Sequence, residues 1–158
     1  MSKKDILRKG VMALRRDQAQ NGSELIELLP DGRILVSQDM AFVLPCDSRK
    51  RFSVTIECTD EGIFYEAFLP AADDESGRIP FIVPEEKRNE VASYISQKTF
   101  TTHVLPTMYL DPESGQVKSR FFLRLKAESS DVSYSLAAER TACCLLFYHA
   151  GRIAELCE

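Results

Sequence analysis

The fold is decided by residues 80–126, which read PFIVPEEKRNEVASYISQKTFTTHVLPTMYLDPESGQVKSRFFLRLK. Pro84 is followed there by two glutamates. This order favours a helix start, because proline lacks the N–H that the first helical turn leaves unpaired, and because carboxylates are stabilised at the positive end of the helix dipole. Later in the stretch, residues 111–115 (DPESG) have the composition of a tight turn. The stretch therefore predicts a helix followed by a β-hairpin.

The second strand of this hairpin, residues 116–126, has the clearest alternation in the chain. Apolar residues such as Phe121 and Leu123 occupy one face. The opposite face carries Lys118, Arg120, Phe122, Arg124 and Lys126. The first strand, residues 104–110, contains Pro106, which cannot donate a hydrogen bond to its neighbour, so we expect an edge strand or a bulge there.

Two further hairpins are predicted upstream. They pair residues 25–29 with 34–37 and residues 52–58 with 63–69. The first pair flanks a Pro-Asp-Gly-Arg turn, which supplies the fixed and the positive φ angles that a tight turn requires. The last of these strands carries large apolar groups on both faces, including Phe64 and Phe68 on the face away from the predicted core. We therefore expect something to cover that face.

Two more helices complete the pattern. Ser2 and Asp5 form a capping signal for a helix over about residues 3–19, and most of its surface is basic and expected to face solvent: Lys3, Lys4, Arg8, Lys9, Arg15 and Arg16. A final helix is expected to start near residues 129–131 and to end at about His149, with Gly151 as its stop signal. Residues 141–148 of this helix are apolar nearly all round, which predicts burial by the sheet or by a second subunit.

The elements together predict an α+β fold. Because the strand pairs are joined as hairpins, the sheet is antiparallel, with the helices packed on one face. The expected order is α-β-β-β-α-β-β-α, with an extra hairpin near the N-terminus. At 158 residues the chain is expected to form a single α+β domain over residues 1–158.

Composition excludes several classes of protein. The net charge is −4 and the charges of both signs are dispersed, which argues against a general nucleic-acid binder. Five cysteines without a CxxC spacing predict reduced thiols, with neither a disulfide framework nor a zinc site. Neither a signal-peptide core nor an 18-residue apolar run is present, so we expect a soluble cytoplasmic protein without membrane contact. We expect no cofactor, no metal and no catalytic residues.

Three blocks of the chain resemble a known family. They are Pro84-Glu85-Glu86-Lys87-Arg88-Asn89-Glu90-Val91, Tyr109-Leu110-Asp111-Pro112-Glu113-Ser114-Gly115-Gln116-Val117, and Arg120-Phe121-Phe122-Leu123. Together they resemble the YbjN family of bacterial proteins, whose members look like type III secretion chaperones in fold. The resemblance covers about residues 50–150. It implies a small bacterial cytosolic protein, often a homodimer, that binds protein segments or acts in regulation, and it transfers no catalytic residue.

The candidate partner-binding surface combines a basic row with aromatic side chains. It comprises Phe64, Phe68, Lys118, Arg120, Phe122 and Arg124. An aromatic patch bordered by charge is typical of an interaction surface for an acidic or aromatic partner. The alternative is a solvated sheet face, on which the basic side chains pair across strands with Glu57 and Glu66.

The sequence favours a non-catalytic protein-binding module, a chaperone-like or regulatory adaptor that takes a protein partner or peptide segment. A homodimer is expected, with an interface drawn from the second or third helix. One alternative is a small enzyme that uses Cys46 or His103 in a cleft. Another is a nucleic-acid-associated factor built on the basic face of residues 116–126.

Overall fold

The computed structural model describes residues 1–19, 24–40, 50–99, 107–124 and 132–158. In these ranges the chain forms one six-stranded sheet and three α-helices. The elements are α1 (Lys3–Gln18), β1 (Glu24–Leu28), β2 (Ile34–Asp39), β3 (Arg51–Cys58), β4 (Gly62–Phe68), α2 (Arg88–Thr99), β5 (Thr107–Leu110), β6 (Val117–Arg124) and α3 (Val132–Leu156). A 3₁₀ turn, Glu85–Lys87, leads into α2.

The sheet is antiparallel throughout, with the strand order β1-β2-β3-β4-β6-β5. The α+β class predicted from the sequence is confirmed. The β1–β2 hairpin is the extra N-terminal hairpin, and Gly32 supplies the positive φ of its turn at +89°. Within the described part of the chain, β1 and β5 form the two edges of the sheet.

The sheet has an inner face that the helices cover and an outer face that they do not. In β3 the inner face carries Phe52, Val54, Ile56 and Cys58, and all four are buried. Tyr65 of β4 stacks on Phe121 of β6 in the same layer, with ring centroids 4.5 Å apart. Val117, Ser119 and Phe121 of β6 are also buried on this face, so the alternation predicted for residues 116–126 is confirmed over β6.

Helix α1 begins as predicted but packs differently from the prediction. The hydroxyl of Ser2 accepts a hydrogen bond from the Asp5 N–H at 3.2 Å, which caps the first turn. Arg15, predicted to face solvent, is instead one of the most buried side chains, at 1% exposure. Arg15 is buried because two carboxylates from other elements, Glu24 and Glu139, converge on its guanidinium.

These carboxylates complete what we call the buried charge cluster: Arg15, Glu24, Gln38 and Glu139. Arg15 donates to Glu24 of β1 at 2.7 Å and also to Glu139 of α3. Gln38 of β2 donates to the other Glu139 oxygen at 2.8 Å. Burial raises the pKa of Glu139, while the Arg15 charge lowers it. The cluster thus ties α1, α3 and two strands together in the interior.

Arg88 fixes the start of α2 against the β5–β6 turn. Its guanidinium donates to the carbonyl of Val83 and to the carbonyl of Pro112, both at 3.1 Å. Gly115 closes the turn with a φ of +74°, and a Cβ added there would lie 2.6 Å from Arg88 Nη2. The positive φ favours glycine at this position, and a methyl group there would have to displace the Arg88 guanidinium. Val91 and Ile95 form the buried side of α2.

Helix α3 is longer than predicted. It continues through Gly151 to Leu156, so the predicted end near His149 was wrong. Ile153, two residues beyond the glycine, is fully buried. Burying such a side chain contributes roughly 1.5–3 kcal/mol, which outweighs the penalty of about 1 kcal/mol for a glycine within a helix. The sheet covers much of the apolar run at residues 141–148, and Cys143 and Leu146 are inaccessible to solvent.

Candidate functional site

The candidate site lies on the outer face of the sheet, opposite the helices. The strand register places side chains of β3, β4, β5 and β6 on this face, among them Thr55, Glu57, Phe64, Glu66, Phe68, Tyr109, Lys118, Arg120, Phe122 and Arg124. All six residues predicted for partner binding are therefore on one surface. Their surroundings differ, however, and these differences separate them into two groups.

The segment 71–79 lies against part of the outer face. Gly77 is buried against the Arg51 backbone, and Arg78 forms an ion pair with Glu27 of β1 at 2.8 Å. The segment is held in shape by Asp74, whose carboxylate accepts hydrogen bonds from Ser76 and from the Ile79 N–H. This contact is on the β1–β3 side of the sheet, whereas β4 and β6 follow on the other side of β3.

Phe64 and Phe122 form an aromatic pair at the centre of the exposed region. They occupy opposing positions on β4 and β6, with ring centroids 4.3 Å apart and an interplanar angle of 29°. Phe64 is 44% exposed and Phe122 is half-buried. The structure thus brings together two of the three predicted aromatic side chains.

The third aromatic residue, Phe68, lies apart from this pair. It opposes Lys118, and the row formed by Glu66 and Arg120 separates it from the aromatic pair. Phe68 is half-buried. It therefore does not extend the exposed aromatic surface formed by Phe64 and Phe122.

Lys118 is engaged in ion pairs within the sheet. Its ammonium group lies 3.2 Å from the Glu66 carboxylate and 3.4 Å from the Asp111 carboxylate. Burial lowers the pKa of Lys118, but the charge of Glu66 and further partners raise it above its ordinary value. Tyr109 donates to the same Glu66 at 3.3 Å. Lys118 therefore fits the alternative interpretation, in which basic side chains on this face pair with carboxylates across strands.

Arg120 and Arg124 are exposed. The Arg120 guanidinium lies over the Tyr109 ring, 4.9 Å from its centroid. It also borders a shallow cavity of about 180 Å³, whose other walls include Glu57, Glu66 and Phe64. Arg124 is placed opposite Gly62 at the end of the β4–β6 pairing. Within the described part of the predicted basic row, these two arginines face solvent, and Lys126 lies outside the described residues.

Gly62 shapes this end of the surface and was not predicted to do so. A Cβ added to it would lie 2.2 Å from the Leu123 carbonyl oxygen and 2.9 Å from the Phe122 ring. The absence of a side chain therefore allows the Phe122 ring to lie over the β4 backbone, beside Phe64. The Asp-Glu-Gly order at residues 60–62 signals a turn, but it carries no sign of this contact.

Tyr109 was also missed as part of the site. It opposes Lys118 in the register of β5 and β6, so its ring lies on the same outer face. The period of two along residues 107–110 could have placed it there, had the register of the hairpin been known.

A second cavity lies on the opposite side of the sheet. It has a volume of about 260 Å³ and is mostly apolar, with walls from Leu69, Phe81, Phe147 and Ala150. Met40 and Lys50 also border it, and they flank residues 41–49, which lie outside the described ranges. Among the described residues that line this cavity, Lys50 is the one with a charged side chain.

The residues proposed for an enzyme, Cys46 and His103, lie outside the described residues. Of the described groups, His149 shares a hydrogen bond of 2.9 Å with Tyr94, and burial lowers its pKa. Burial raises the pKa of the Cys143 thiol well above its ordinary value, which disfavours a thiolate there. In the ranges that the structure covers, no three His, Cys, Asp or Glu side chains are grouped to hold a metal ion.

Comparisons with known proteins found no match to a protein-family model, to a curated protein or to a solved structure. A helix able to traverse a lipid bilayer is absent from the part of the chain that the structure describes.

Proposed function

We propose that this protein is a non-catalytic protein-binding module, a chaperone-like or regulatory adaptor that contacts its partner through the outer face of β4 and β6. The observation that carries the proposal is the aromatic pair of Phe64 and Phe122. Large exposed aromatic side chains are enriched at protein interfaces, where burying a ring contributes more than burying most other side chains. Membership of a YbjN-like family remains part of this proposal.

The chemistry around the aromatic pair supports a protein partner. Glu57 opposes Phe64 from β3, and Arg124 extends from the adjacent row of β6. Neither side chain has an ion-pair partner among the residues that the structure describes. An apolar centre with charge of both signs at its rim is the usual composition of a protein interface. The partner should therefore present an apolar side chain flanked by opposite charges.

An affinity capture from the native host, read by mass spectrometry, tests the proposal. Phe64→Ala should reduce recovery of the partner at least about tenfold, since an aromatic residue at the centre of an interface commonly contributes 2 kcal/mol or more. Light scattering on the same sample gives the number of copies in the complex.

The matched control is Leu25→Ala. Leu25 is also a large, exposed apolar residue on the outer face, but it lies on β1, far from the aromatic pair. Its substitution should leave recovery of the partner unchanged. Equal recovery with wild type, Phe64→Ala and Leu25→Ala would contradict the proposed surface.

A further inference from the structure

We propose that the occupant of the outer face is a second copy of this chain, bound face to face around a twofold axis parallel to the strands. This inference rests on the proposed function and names its partner. It follows from the arrangement of charge on the surface, which is complementary to itself.

The strand register sets out the pattern. Glu57, Phe64 and Phe122 lie in one row across β3, β4 and β6, and Arg124 lies in the next row, on β6. Among the residues that the structure describes, neither the Glu57 carboxylate nor the Arg124 guanidinium has an ion-pair partner, and the two groups lie on opposite sides of a line drawn between β4 and β6. A surface with its negative charge on one side and its positive charge on the other can bind a copy of itself after a half-turn.

The direction of the axis follows from the charges. A twofold axis parallel to the strands, between β4 and β6, exchanges these two strands and keeps each row in place. Phe64 of each copy then faces Phe122 of the other. Arg124 of each copy then lies over β4 of the other copy. It is one strand and one row away from Glu57 of that other copy.

Side-chain reach permits the resulting ion pairs. Neighbouring strands are about 4.8 Å apart, alternate residues along a strand are about 6.6 Å apart, and packed sheets are about 10 Å apart. Extended arginine and glutamate side chains can span this separation together. An axis perpendicular to the strands would place Arg124 of one copy over Arg120 of the other, and this like-charge contact disfavours that arrangement.

The dimer should be weak. The segment 71–79 lies against the β1–β3 side of the outer face, so the contact is limited to part of one sheet. Interfaces below the standard size are typical of transient association. We expect a dissociation constant on the order of 10 μM, in contrast to the helix-based homodimer that the sequence predicted.

Sedimentation velocity from about 2 to 500 μM tests the inference, with the concentration range chosen to bracket a dissociation constant of that order. The wild-type chain of 17.9 kDa should shift from monomer to dimer over this range. Glu57→Arg and Arg124→Glu should each weaken dimerisation at least about tenfold, because each substitution places like charges together at both symmetric contacts. The double variant should recover the wild-type affinity to within about threefold, since both contacts are restored with reversed polarity.

Two controls separate association from folding. Glu86→Arg reverses an exposed charge in the 3₁₀ turn before α2 and should not change dimerisation. Far-UV circular dichroism should be the same for all variants, since the substituted side chains are exposed. Phe64→Ala provides a second route to the same interface without a change of charge, and it should also abolish the dimer.

The outcomes distinguish this inference from the proposed function. A chain that stays monomeric but captures another protein through Phe64 would overturn the second-copy inference and leave the proposed function standing. A monomer without any Phe64-dependent partner would overturn both. A dimer that ignores both charge reversals would place the interface elsewhere and would also overturn the inference.

Discussion

Arg15 joins three elements of the fold through a single guanidinium. It binds Glu24 and Glu139 in the interior, while its neighbour Arg16 on the same helix faces solvent. Sequence alone does not separate the two, because both belong to the basic face of α1 and differ only in what the fold places beside them. Burial of an arginine requires carboxylates from elsewhere in the chain, and these lie 9 and 124 residues away.

Arg15→Ala should destabilise the protein by about 3–5 kcal/mol, because it leaves two carboxylates buried without their cation. Arg16→Ala removes the same charge from the same helix at an exposed position and should change the free energy of unfolding by no more than about 0.5 kcal/mol. Urea unfolding of both variants measures the difference. Equal effects of the two substitutions would show that the buried charge cluster does not stabilise the fold.

The element that the sequence predicted best is the helix and hairpin of residues 80–126. Pro84, the Asp-Pro-Glu-Ser-Gly turn and the alternation of β6 each encode local geometry, so each could be inferred without tertiary information. What the sequence could not supply is the contact between them. The Arg88 guanidinium joins the helix start to the turn, and only the folded chain brings these groups together.

Gly115→Ala tests this contact. Gly32→Ala is the matched control, because Gly32 also has a positive φ but has open space around its Cα. Each alanine carries a backbone penalty of about 1–2 kcal/mol, and Gly115→Ala should be further destabilising because its methyl group displaces Arg88. In an Arg88→Ala background the additional penalty should disappear. Thermal unfolding of the four variants would contradict the account if the two glycine substitutions had equal effects.

The end of α3 shows where local signals fail. Gly151 is a common stop signal, yet the helix continues for five residues and buries Ile153. The tertiary environment prevails over the propensity of one glycine, and sequence patterns report propensity more directly than burial. The ion pair between Lys118 and Asp111 could not be predicted from local signals either, because the β5–β6 turn has to form before the two side chains meet.

In the whole molecule the predicted residues lie on one face of the sheet, but not all of them are available to a partner. The alternation of β4 and β6 correctly placed Phe64, Phe122 and Arg124 on one surface. Lys118, in contrast, forms ion pairs with Glu66 and Asp111, so its charge is not available to a partner. The surface that remains is smaller than the sequence suggested, with an aromatic centre and charge of both signs.

Site-specific photo-crosslinking in the native host tests most directly whether this surface binds protein. A benzophenone amino acid would replace Phe64 in one sample and Leu25 in another, so that both probes lie on the outer face. We expect a protein adduct at position 64, formed with a second copy of the chain, and none at position 25. Adducts at position 25 without any at position 64 would show that the outer face of β4 and β6 is not the surface that binds protein.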